Sequence, residues 1–263
     1  MSADERKWAL VLGASSGFGE ASALAFAEAG YGVFGVHLDR RAGVAHVEEI
    51  RERIAGLGRE AHFFNVNAAD PEKREEVVAA MTERSGGGPV RVLLHSLAFG
   101  TLKPFVAPEA KDAMNRAQMD MTLDVMAHSL VYWTQDCHRA GLLRRGSKIY
   151  AMTSAGDRVA WKAYGAVSAA KCALESHVRQ LAVELAPEGI TANAIKAGVT
   201  DTPALRKIPG NEALVEGAQA RNPAGRLTTP EDVARCLVAL SAPGTEWMTG
   251  NVIQVDGGED VAG

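Results

Sequence analysis

Short apolar runs alternate along this chain with longer segments of helical periodicity, and the alternation repeats six times. Most of the runs are apolar at successive positions, which is typical of strands buried on both faces of a sheet. Strands that alternate with helices in this way predict a parallel sheet with helices packed on both faces. The predicted strands are Trp8–Leu12, Val33–Leu38, Ala61–Val66, Val90–His95, Lys148–Thr153, Thr191–Ile195 and Val252–Val255.

The predicted helices complete an α/β architecture without an internal repeat or a linker that would separate two domains. Asp70-Pro71 and Thr229-Pro230 each place a capping side chain before a first-turn proline, which favours a helix start. We therefore expect one domain over residues 1–263, with about seven strands. The predicted helices are Phe18–Ala29, Val44–Ala55, Pro71–Ser85, Asp112–Ala140, Ala163–Ala186 and Pro230–Leu240.

The segment at about 198–229 differs from the rest of the chain. Gly, Pro and Thr interrupt a weakly amphipathic stretch around Glu212–Ala220. The segment follows the carboxyl end of a predicted strand, where ligands bind in open α/β sheets. It is predicted to form a lid with a small helix, and an ordinary surface excursion is the alternative.

Composition excludes several classes of function. The chain has 28 Lys+Arg against 32 Asp+Glu and a net charge of −4, which gives no basic field for nucleic acid. Cys137, Cys172 and Cys236 have neither disulfide-framework nor zinc-site spacing. No run approaches the ~18 apolar residues of a membrane span, and Trp8–Leu12 is too short for a signal-peptide core. We expect a cytoplasmic protein with no metal site and no membrane or nucleic-acid partner.

The first predicted strand leads directly into Gly13-Ala14-Ser15-Ser16-Gly17-Phe18-Gly19, and a helix follows. Glycines in such a turn let the backbone approach a pyrophosphate at the N-terminus of the helix. The position within a first strand–turn–helix unit is the context that a dinucleotide-binding motif requires. The expected binding residues are Gly13, Ser15, Ser16, Gly17, Phe18 and Gly19.

The Gly-x-x-x-Gly-x-Gly spacing resembles the short-chain dehydrogenase/reductase superfamily. The resemblance extends over nearly the whole chain, through Asn67, a Ser–Tyr–Lys set, and Val255-Asp256-Gly257-Gly258 near the end. It implies a doubly wound, Rossmann-type oxidoreductase that forms a homotetramer or homodimer. It also implies roles for Asn67 and Ala68 at the adenine, Ile195 at the carboxamide and Thr202 at the pyrophosphate. Further cofactor contacts are implied at Ser96, Leu97, Ala98, Lys171, Gly198 and Thr200.

The end of the second predicted strand bears on which dinucleotide binds. NAD-type members of the superfamily carry an acid at the position of His37, while here Asp39 comes two residues later and Arg40 and Arg41 follow. Two guanidinium groups beside one carboxylate favour a 2′-phosphate. NADPH is therefore the expected cofactor, and Asp39 leaves NADH open.

The expected catalytic pair departs from the common Tyr-x-x-x-Lys pattern of the superfamily. Val167 stands four residues before Lys171, and Tyr164 stands seven residues before it. Seven residues are nearly two helical turns, so both side chains share a face, and the phenol is displaced by about 4.5 Å. In reducing a 2-enoyl thioester, hydride goes to Cβ while charge develops on an oxygen three bonds away. A displaced phenol suits that geometry, and Lys171 is expected to favour its ionisation.

Four further places resemble the enoyl-acyl-carrier-protein reductase branch of the superfamily. They are His95-Ser96-Leu97-Ala98-Phe99, Met126 in place of a catalytic Asn, Lys196-Ala197-Gly198, and Thr200–Arg226, which resembles the NADPH-dependent isoform. The resemblance implies reduction of a trans-2-enoyl thioester, carried by acyl-carrier protein or CoA, in fatty-acid biosynthesis.

The expected catalytic residues are Tyr164, Lys171 and Ser154. The Ser154 hydroxyl either donates to the substrate oxygen or caps the end of the fifth strand. Two other functions remain open: a short-chain reductase acting on a ketone or an alcohol, and a dinucleotide-binding sensor without catalysis.

Overall fold

Seven parallel strands form one sheet in the computed structural model, which describes residues 6–262. The strand order is β3-β2-β1-β4-β5-β6-β7, so the direction of winding reverses between β1 and β4. This is the doubly wound, Rossmann-type arrangement, and it confirms the predicted fold class. The strands are β1 (Trp8–Leu12), β2 (Gly32–His37), β3 (Ala61–Asn65), β4 (Val90–His95), β5 (Lys148–Thr153), β6 (Thr191–Ala197) and β7 (Val252–Val255).

Helices cover both faces of the sheet. The alternating side chains of β1 show why, since Leu10 and Leu12 enter one core layer while Ala9 and Val11 enter the other. The layers contain α3, α5 and α6 on one face and α1, α2 and α8 on the other. The helices are α1 (Gly17–Glu28), α2 (Arg41–Gly56), α3 (Pro71–Arg84), α4 (Arg116–Leu123), α5 (Ser129–Arg139), α6 (Gly165–Leu185), α7 (Asn211–Arg221) and α8 (Pro230–Leu240).

The predicted helix Asp112–Ala140 differs from the observed one in two ways. It begins at Arg116, because Asn115 and Gln118 cap each other's backbone N–H groups. It is also divided by a π-helical turn, Asp124–His128, between α4 and α5. A π-helical turn contains one extra residue and leaves the apolar periodicity of the helix nearly intact, so the sequence pattern does not predict it. The π turn contains Met126, which it places in the core.

The segment at 198–229 contains a short 3₁₀ turn, Leu205–Lys207, and α7. Helix α7 agrees with the predicted stretch Glu212–Ala220 to within a residue at each end. The role of the segment as a lid stays a prediction. Residues 1–5 and 263 belong to the predicted domain but lie outside the described residues.

No helix within residues 6–262 is long and apolar enough to cross a membrane. In the same part of the chain, no three His, Cys, Asp or Glu side chains come together as metal ligands. The three cysteines are unpaired, and burial raises the pKa of the Cys137 thiol to about 12.

Candidate active site

The glycine turn lies where the sheet changes its winding direction, at the carboxyl ends of β1 and β4. Leu12 pairs with His95 across these strands, and the Ser96 amide donates to the Leu12 carbonyl at 2.8 Å. Gly13 has a φ of +92°, and a Cβ at this position would lie 2.4 Å from the Ser96 carbonyl oxygen. The turn after β1 and the turn after β4 therefore close against each other only with glycine at 13.

The turn continues into the N-terminus of α1 through two more tightly packed glycines. A Cβ at Gly19 would lie 1.9 Å from the Gly13 carbonyl oxygen, and Gly17 has a φ of +54°. The Ser16 side chain makes no capping hydrogen bond to α1. The first N–H groups of the helix therefore remain free of a side-chain cap, and the cradle fits a pyrophosphate.

Thr202 brings the start of the 198–229 segment to the same turn. Its methyl group lies 3.3 Å from the position that a Cβ at Gly17 would take. Its Oγ1 accepts a hydrogen bond from the Leu205 amide at 3.2 Å. Thr202 thus lies beside the glycine turn, and its contact to a pyrophosphate stays a prediction.

Gly198 and Thr200 lie at the start of that segment. The Thr200 hydroxyl donates to the Gly198 carbonyl at 3.0 Å. A Cβ at Gly198 would lie 2.4 Å from Thr228 Oγ1 and 2.9 Å from Glu259 Oε2. The Val199 amide donates to that same Glu259 oxygen at 3.0 Å, so the start of the 198–229 segment is bonded to the C-terminal segment. Burial raises the pKa of the Glu259 carboxyl.

At the end of β2, the Asp39 carboxylate already has a partner. His37 Nδ1 lies 2.9 Å from Asp39 Oδ2, and the Asp39 backbone exchanges two hydrogen bonds with the Asn65 side chain. Arg40 and Arg41 are exposed and have no ion-pair partner within residues 6–262. The groups that are free to meet a ligand here are therefore mainly the two guanidiniums. Asn65 could not be found from the sequence, because its role depends on the pairing of β3 with β2.

The turn after β3 holds Asn67 and Ala68 through contacts within the protein. Asn67 Oδ1 accepts from the Ala69 amide at 3.1 Å, and the Ala68 carbonyl accepts from Trp133 Nε1 at 2.8 Å. After β4, Ser96 and Leu97 are half-buried and Ala98 is exposed. These turns therefore lie at the same edge of the sheet as the glycine turn. Their contacts to a cofactor stay predictions.

Lys171 is buried on α6 with 6% of its surface exposed. Its Nζ donates to the Met152 carbonyl of β5 at 2.7 Å. Burial lowers the pKa of Lys171 to about 8, and the charge of Glu175 acts in the opposite direction. Lys171 is therefore still mainly an ammonium group at neutral pH.

Tyr164 lies immediately before α6, with its ring packed on the turn after β5. A Cβ at Gly156 would lie 2.5 Å from Tyr164 Cε1, and Ser168 Oγ donates to the Gly156 carbonyl at 2.5 Å. Ala163, the preceding residue, has a φ of +62°, a left-handed conformation that is strained for alanine. This backbone conformation sets the direction in which the chain enters Tyr164.

Burial raises the pKa of the Tyr164 phenol, and the neighbouring Ser154 hydroxyl acts in the opposite direction. Burial is the larger of these two influences, so the phenol is protonated in the protein without ligands, and the effect of Lys171 on its ionisation stays a prediction. A protonated phenol is a hydrogen-bond donor at neutral pH.

The Ser154 hydroxyl is buried beside Tyr164 without a hydrogen bond of normal geometry. It makes no capping bond to the 3₁₀ turn Ala155–Asp157 that follows it. The structure thus gives no support to the capping alternative. Ser154 and Tyr164 thus place two neighbouring hydroxyl groups at the carboxyl end of β5.

A buried ion pair ties this turn to the neighbouring strand. Lys196 Nζ of β6 donates to Asp157 Oδ2 at 2.7 Å, and the two side chains are 7% and 9% exposed. Arg158 next to it pairs with Asp260 of the C-terminal segment. The sequence indicates Lys196 only as part of a motif and gives no sign of Asp157, since no spacing links the two residues.

The π turn places an apolar side chain against Gly100, which follows β4. Met126 is buried, and its Sδ would lie 2.9 Å from a Cβ at Gly100. His95 Nε2 donates to Ser129 Oγ at 2.9 Å, because that hydroxyl itself donates to the Val125 carbonyl. Burial lowers the pKa of His95 to about 3, so this imidazole is neutral.

The sheet order, the glycine cradle at the switch point, Tyr164 just before α6 and Lys171 on α6 are the features of a Rossmann-type oxidoreductase for a nicotinamide dinucleotide. The chain belongs to the short-chain dehydrogenase/reductase superfamily, since a family model described as enoyl-(acyl carrier protein) reductase matches residues 13–259.

Relatives and solved structures show how wide this family is. A 1-cyclohexenylcarbonyl-CoA reductase from Streptomyces collinus is 31% identical, over 97% of this chain and 88% of the relative. An NADPH-dependent aldehyde reductase-like chloroplastic protein from Arabidopsis thaliana is 30% identical, over 95% and 93%. The crystal structure of the enoyl-[acyl-carrier-protein] reductase (NADH) from Aquifex aeolicus superimposes with a TM-score of 0.84 at 26% identity, covering 98% of both chains.

Proposed function

We propose that this protein reduces the 2,3 double bond of a trans-2-enoyl thioester with hydride from NADPH. The observation that carries the proposal is the position of the phenol. Tyr164 precedes α6 and stands seven residues before Lys171, while Val167, at the position of the usual catalytic phenol, is a buried core residue.

The catalytic residues act on the thioester oxygen. The Tyr164 phenol, which burial keeps protonated, donates a hydrogen bond as negative charge develops on that oxygen. One such donor typically contributes about 2.7–4 kcal/mol to the transition state. The unpartnered Ser154 hydroxyl lies beside Tyr164 and can supply a second donor. Lys171, seated on the Met152 carbonyl, adds a positive charge within the same site.

The cofactor residues fit NADPH. When bound, the reduced nicotinamide supplies the hydride that goes to Cβ of the substrate. The glycine cradle and the uncapped N-terminus of α1 would hold the pyrophosphate. Arg40 and Arg41 would bind the 2′-phosphate, because the one nearby carboxylate, Asp39, is engaged by His37.

The proposed substrate is an acyl thioester on acyl-carrier protein or CoA. The Aquifex aeolicus structure is that of an enoyl-[acyl-carrier-protein] reductase, and the Streptomyces collinus relative is named for a CoA thioester with a ring double bond. Phe105 contacts the backbone of Gly165 next to Tyr164, and Phe105 and Phe99 are both more than half exposed. Such apolar surface beside the phenol suits an acyl chain.

Several wider roles belong to the same proposal. We place the enzyme in fatty-acid biosynthesis in the cytoplasm, as a homotetramer or homodimer, with residues 198–229 closing over the acyl chain. The end of this segment packs beside a cavity of about 200 Å³ that is lined by Asn222, Ala224, Arg226, Thr228, Asp232, Val255 and Gly257.

Reduction of a carbonyl group is the second candidate, because the Arabidopsis thaliana relative is named as aldehyde reductase-like. Against it, Met126 lies buried where ketone-reducing members carry a catalytic Asn, so that position supplies no amide. A non-catalytic sensor is disfavoured by the Tyr164 and Lys171 pair itself.

One assay separates these functions: NADPH oxidation followed by absorbance with crotonyl-CoA, 1-cyclohexenylcarbonyl-CoA, acetoacetyl-CoA and a simple aldehyde. We expect turnover with one or both enoyl thioesters and little with the other two. Turnover confined to acetoacetyl-CoA or the aldehyde would establish the carbonyl reductase instead. Binding of NADPH without turnover of any of the four would favour the sensor.

A further inference from the structure

Glu175 is a buried carboxylate that the proposed reaction does not use. It lies on α6 with 9% of its surface exposed, among the core residues Leu174 and Val178 of the same helix. A carboxylate in such surroundings loses its hydration and is retained only with a hydrogen-bond donor or an opposite charge. Its partners therefore indicate what it does.

Two consecutive residues of β5 hold Glu175 and Lys171. The Thr153 hydroxyl donates to Glu175 Oε1 at 2.6 Å, and the Met152 carbonyl accepts from Lys171 Nζ at 2.7 Å. Glu175 and Lys171 are also four residues apart on α6, so they are neighbours on one helix face. The carboxylate and the ammonium are thus anchored to consecutive residues at the same strand end.

The other titratable groups around this pair are neutral or engaged elsewhere. His95 of β4 is neutral because of its burial, and Lys196 of β6 is paired with Asp157. His128 of the π turn and His177 of α6 share a hydrogen bond of 3.0 Å. Asp124 lines an open surface cleft, and the Tyr164 phenol is protonated. Within residues 6–262, Glu175 is therefore the negative charge placed to balance Lys171.

We propose that Glu175 is the buried counter-ion of Lys171 and acts as a positioning residue, which, held by Thr153, keeps the Lys171 side chain charged and seated on the Met152 carbonyl. The proposal rests on the place of Lys171 in the proposed active site, but not on the identity of the substrate. Without Glu175, a fully buried ammonium would have only a carbonyl dipole to offset its lost hydration.

The direct test is the charge of Lys171 in the protein without ligands. Lysine labelled with ¹³C at Cε is titrated by NMR, and the signal that Lys171→Arg removes is assigned to Lys171. In the wild type the pKa of Lys171 is expected at about 8. Glu175→Gln keeps the size of the side chain and an oxygen that can accept from Thr153. In this variant we expect the pKa of Lys171 to fall by roughly one to three pH units.

The matched control is Glu184→Gln. Glu184 lies on the same helix, is exposed, and accepts a hydrogen bond from Gln180 at 2.6 Å. The variant removes the same formal charge, so an effect of net charge alone would shift the Lys171 titration equally in Glu184→Gln and Glu175→Gln. We expect no shift of the Lys171 titration in Glu184→Gln. Equal titrations of Lys171 in the wild type and Glu175→Gln would overturn the proposal.

A second readout is the pH profile of NADPH binding, measured by fluorescence. As pH rises, affinity for NADPH should decline at a lower pH in Glu175→Gln than in the wild type. The reason is that Lys171, near the nicotinamide ribose, would lose its proton at a lower pH. This result is independent of substrate, so an enzyme that reduces no enoyl thioester would refute the proposed function and leave this inference standing. An unchanged profile would count against the counter-ion role.

Should Glu175→Gln fail to fold, as judged by near-ultraviolet circular dichroism, two variants of Thr153 decide. Thr153→Val keeps the carboxylate but removes its hydroxyl donor, and it should lower the pKa of Lys171 by less than Glu175→Gln does. Thr153→Ser keeps a hydroxyl at this position and should give the wild-type pKa of Lys171. Identical titrations in all three forms would show that the Thr153–Glu175 contact does not act on Lys171.

Discussion

The two ends of the active site are held by different parts of the chain. At the cofactor end, backbone packs on backbone: Gly13 closes on Ser96, and the free groups are amides of α1. At the catalytic end, buried side chains bond one another, as in Thr153 with Glu175 and Lys196 with Asp157. The first end depends on the absence of Cβ atoms, and the second depends on charges balanced away from water.

The largest effect is expected from removing the displaced phenol. Tyr164→Phe keeps the ring on Gly156 and removes the hydroxyl, so folding and NADPH binding should survive while kcat on an enoyl thioester falls by about 10²–10³. Steady-state kinetics with NADPH titration measures both. Near-normal turnover would transfer the role to Ser154.

A matched variant of the same phenol sharpens this result. Adding Val167→Tyr to Tyr164→Phe places a phenol at the usual position of the superfamily, one helical turn away. It should not restore enoyl reduction, because the new hydroxyl would lie about 4.5 Å along the helix from the developing charge. Recovery of enoyl turnover in the double variant would refute the importance of the displacement.

At the cofactor end, a single Cβ should be enough to disrupt binding. Gly13→Ala places a methyl group 2.4 Å from the Ser96 carbonyl at a φ of +92°. We expect a cost of roughly 1–3 kcal/mol, divided between folding stability and NADPH affinity. Thermal unfolding and NADPH titration check it, with Gly56→Ala, where a Cβ meets nothing within 4 Å, as the control. Wild-type behaviour of Gly13→Ala would show that the two turns are not in close contact.

Cofactor choice should change more modestly. Replacing Arg40 and Arg41 with Ala removes the two exposed guanidiniums and should raise KM for NADPH roughly tenfold or more, since charge-assisted hydrogen bonds contribute about 1.5–3 kcal/mol. KM for NADH should stay nearly constant. A wild-type enzyme that already prefers NADH would show that Asp39 governs selection despite its contact with His37.

The smallest effect concerns the lid. Residues 200–226 should gain hydrogen-exchange protection when NADPH and an acyl thioester bind, because loops at this edge close over substrate. Helix α1 serves as the internal reference. Equal protection of the segment with and without ligands would remove the lid from the proposal.

The contrast between the cofactor end and the catalytic end also explains which features the sequence predicts well. The strands and the glycine turn follow from local patterns, and the bounds of β1, β4, β5, β7 and α8 agree with the predictions. Tyr164 and Lys171 are found by spacing on one helix. Glu175, Asn65 and Asp157 are not, because each bonds a residue that is distant in sequence and is brought near only by the fold.

Glu175 is visible in the sequence only as a charged residue on the apolar face of α6. Such a residue is equally consistent with a solvated helix charge until its burial is known. The sequence also does not predict that the pKa of Tyr164 is raised, since the shift depends on how deeply the ring is buried against Gly156.

The short stretch from Asp256 to Asp260 has a practical consequence for anyone handling this protein. Asp260 pairs with Arg158 in the turn after β5, and Glu259 accepts a hydrogen bond from the Val199 amide. Five residues thus fasten two separate parts of the active site to one piece of chain. A trimmed version of the protein that lacked them would lose both attachments at once, so trimming to obtain better crystals should spare this stretch.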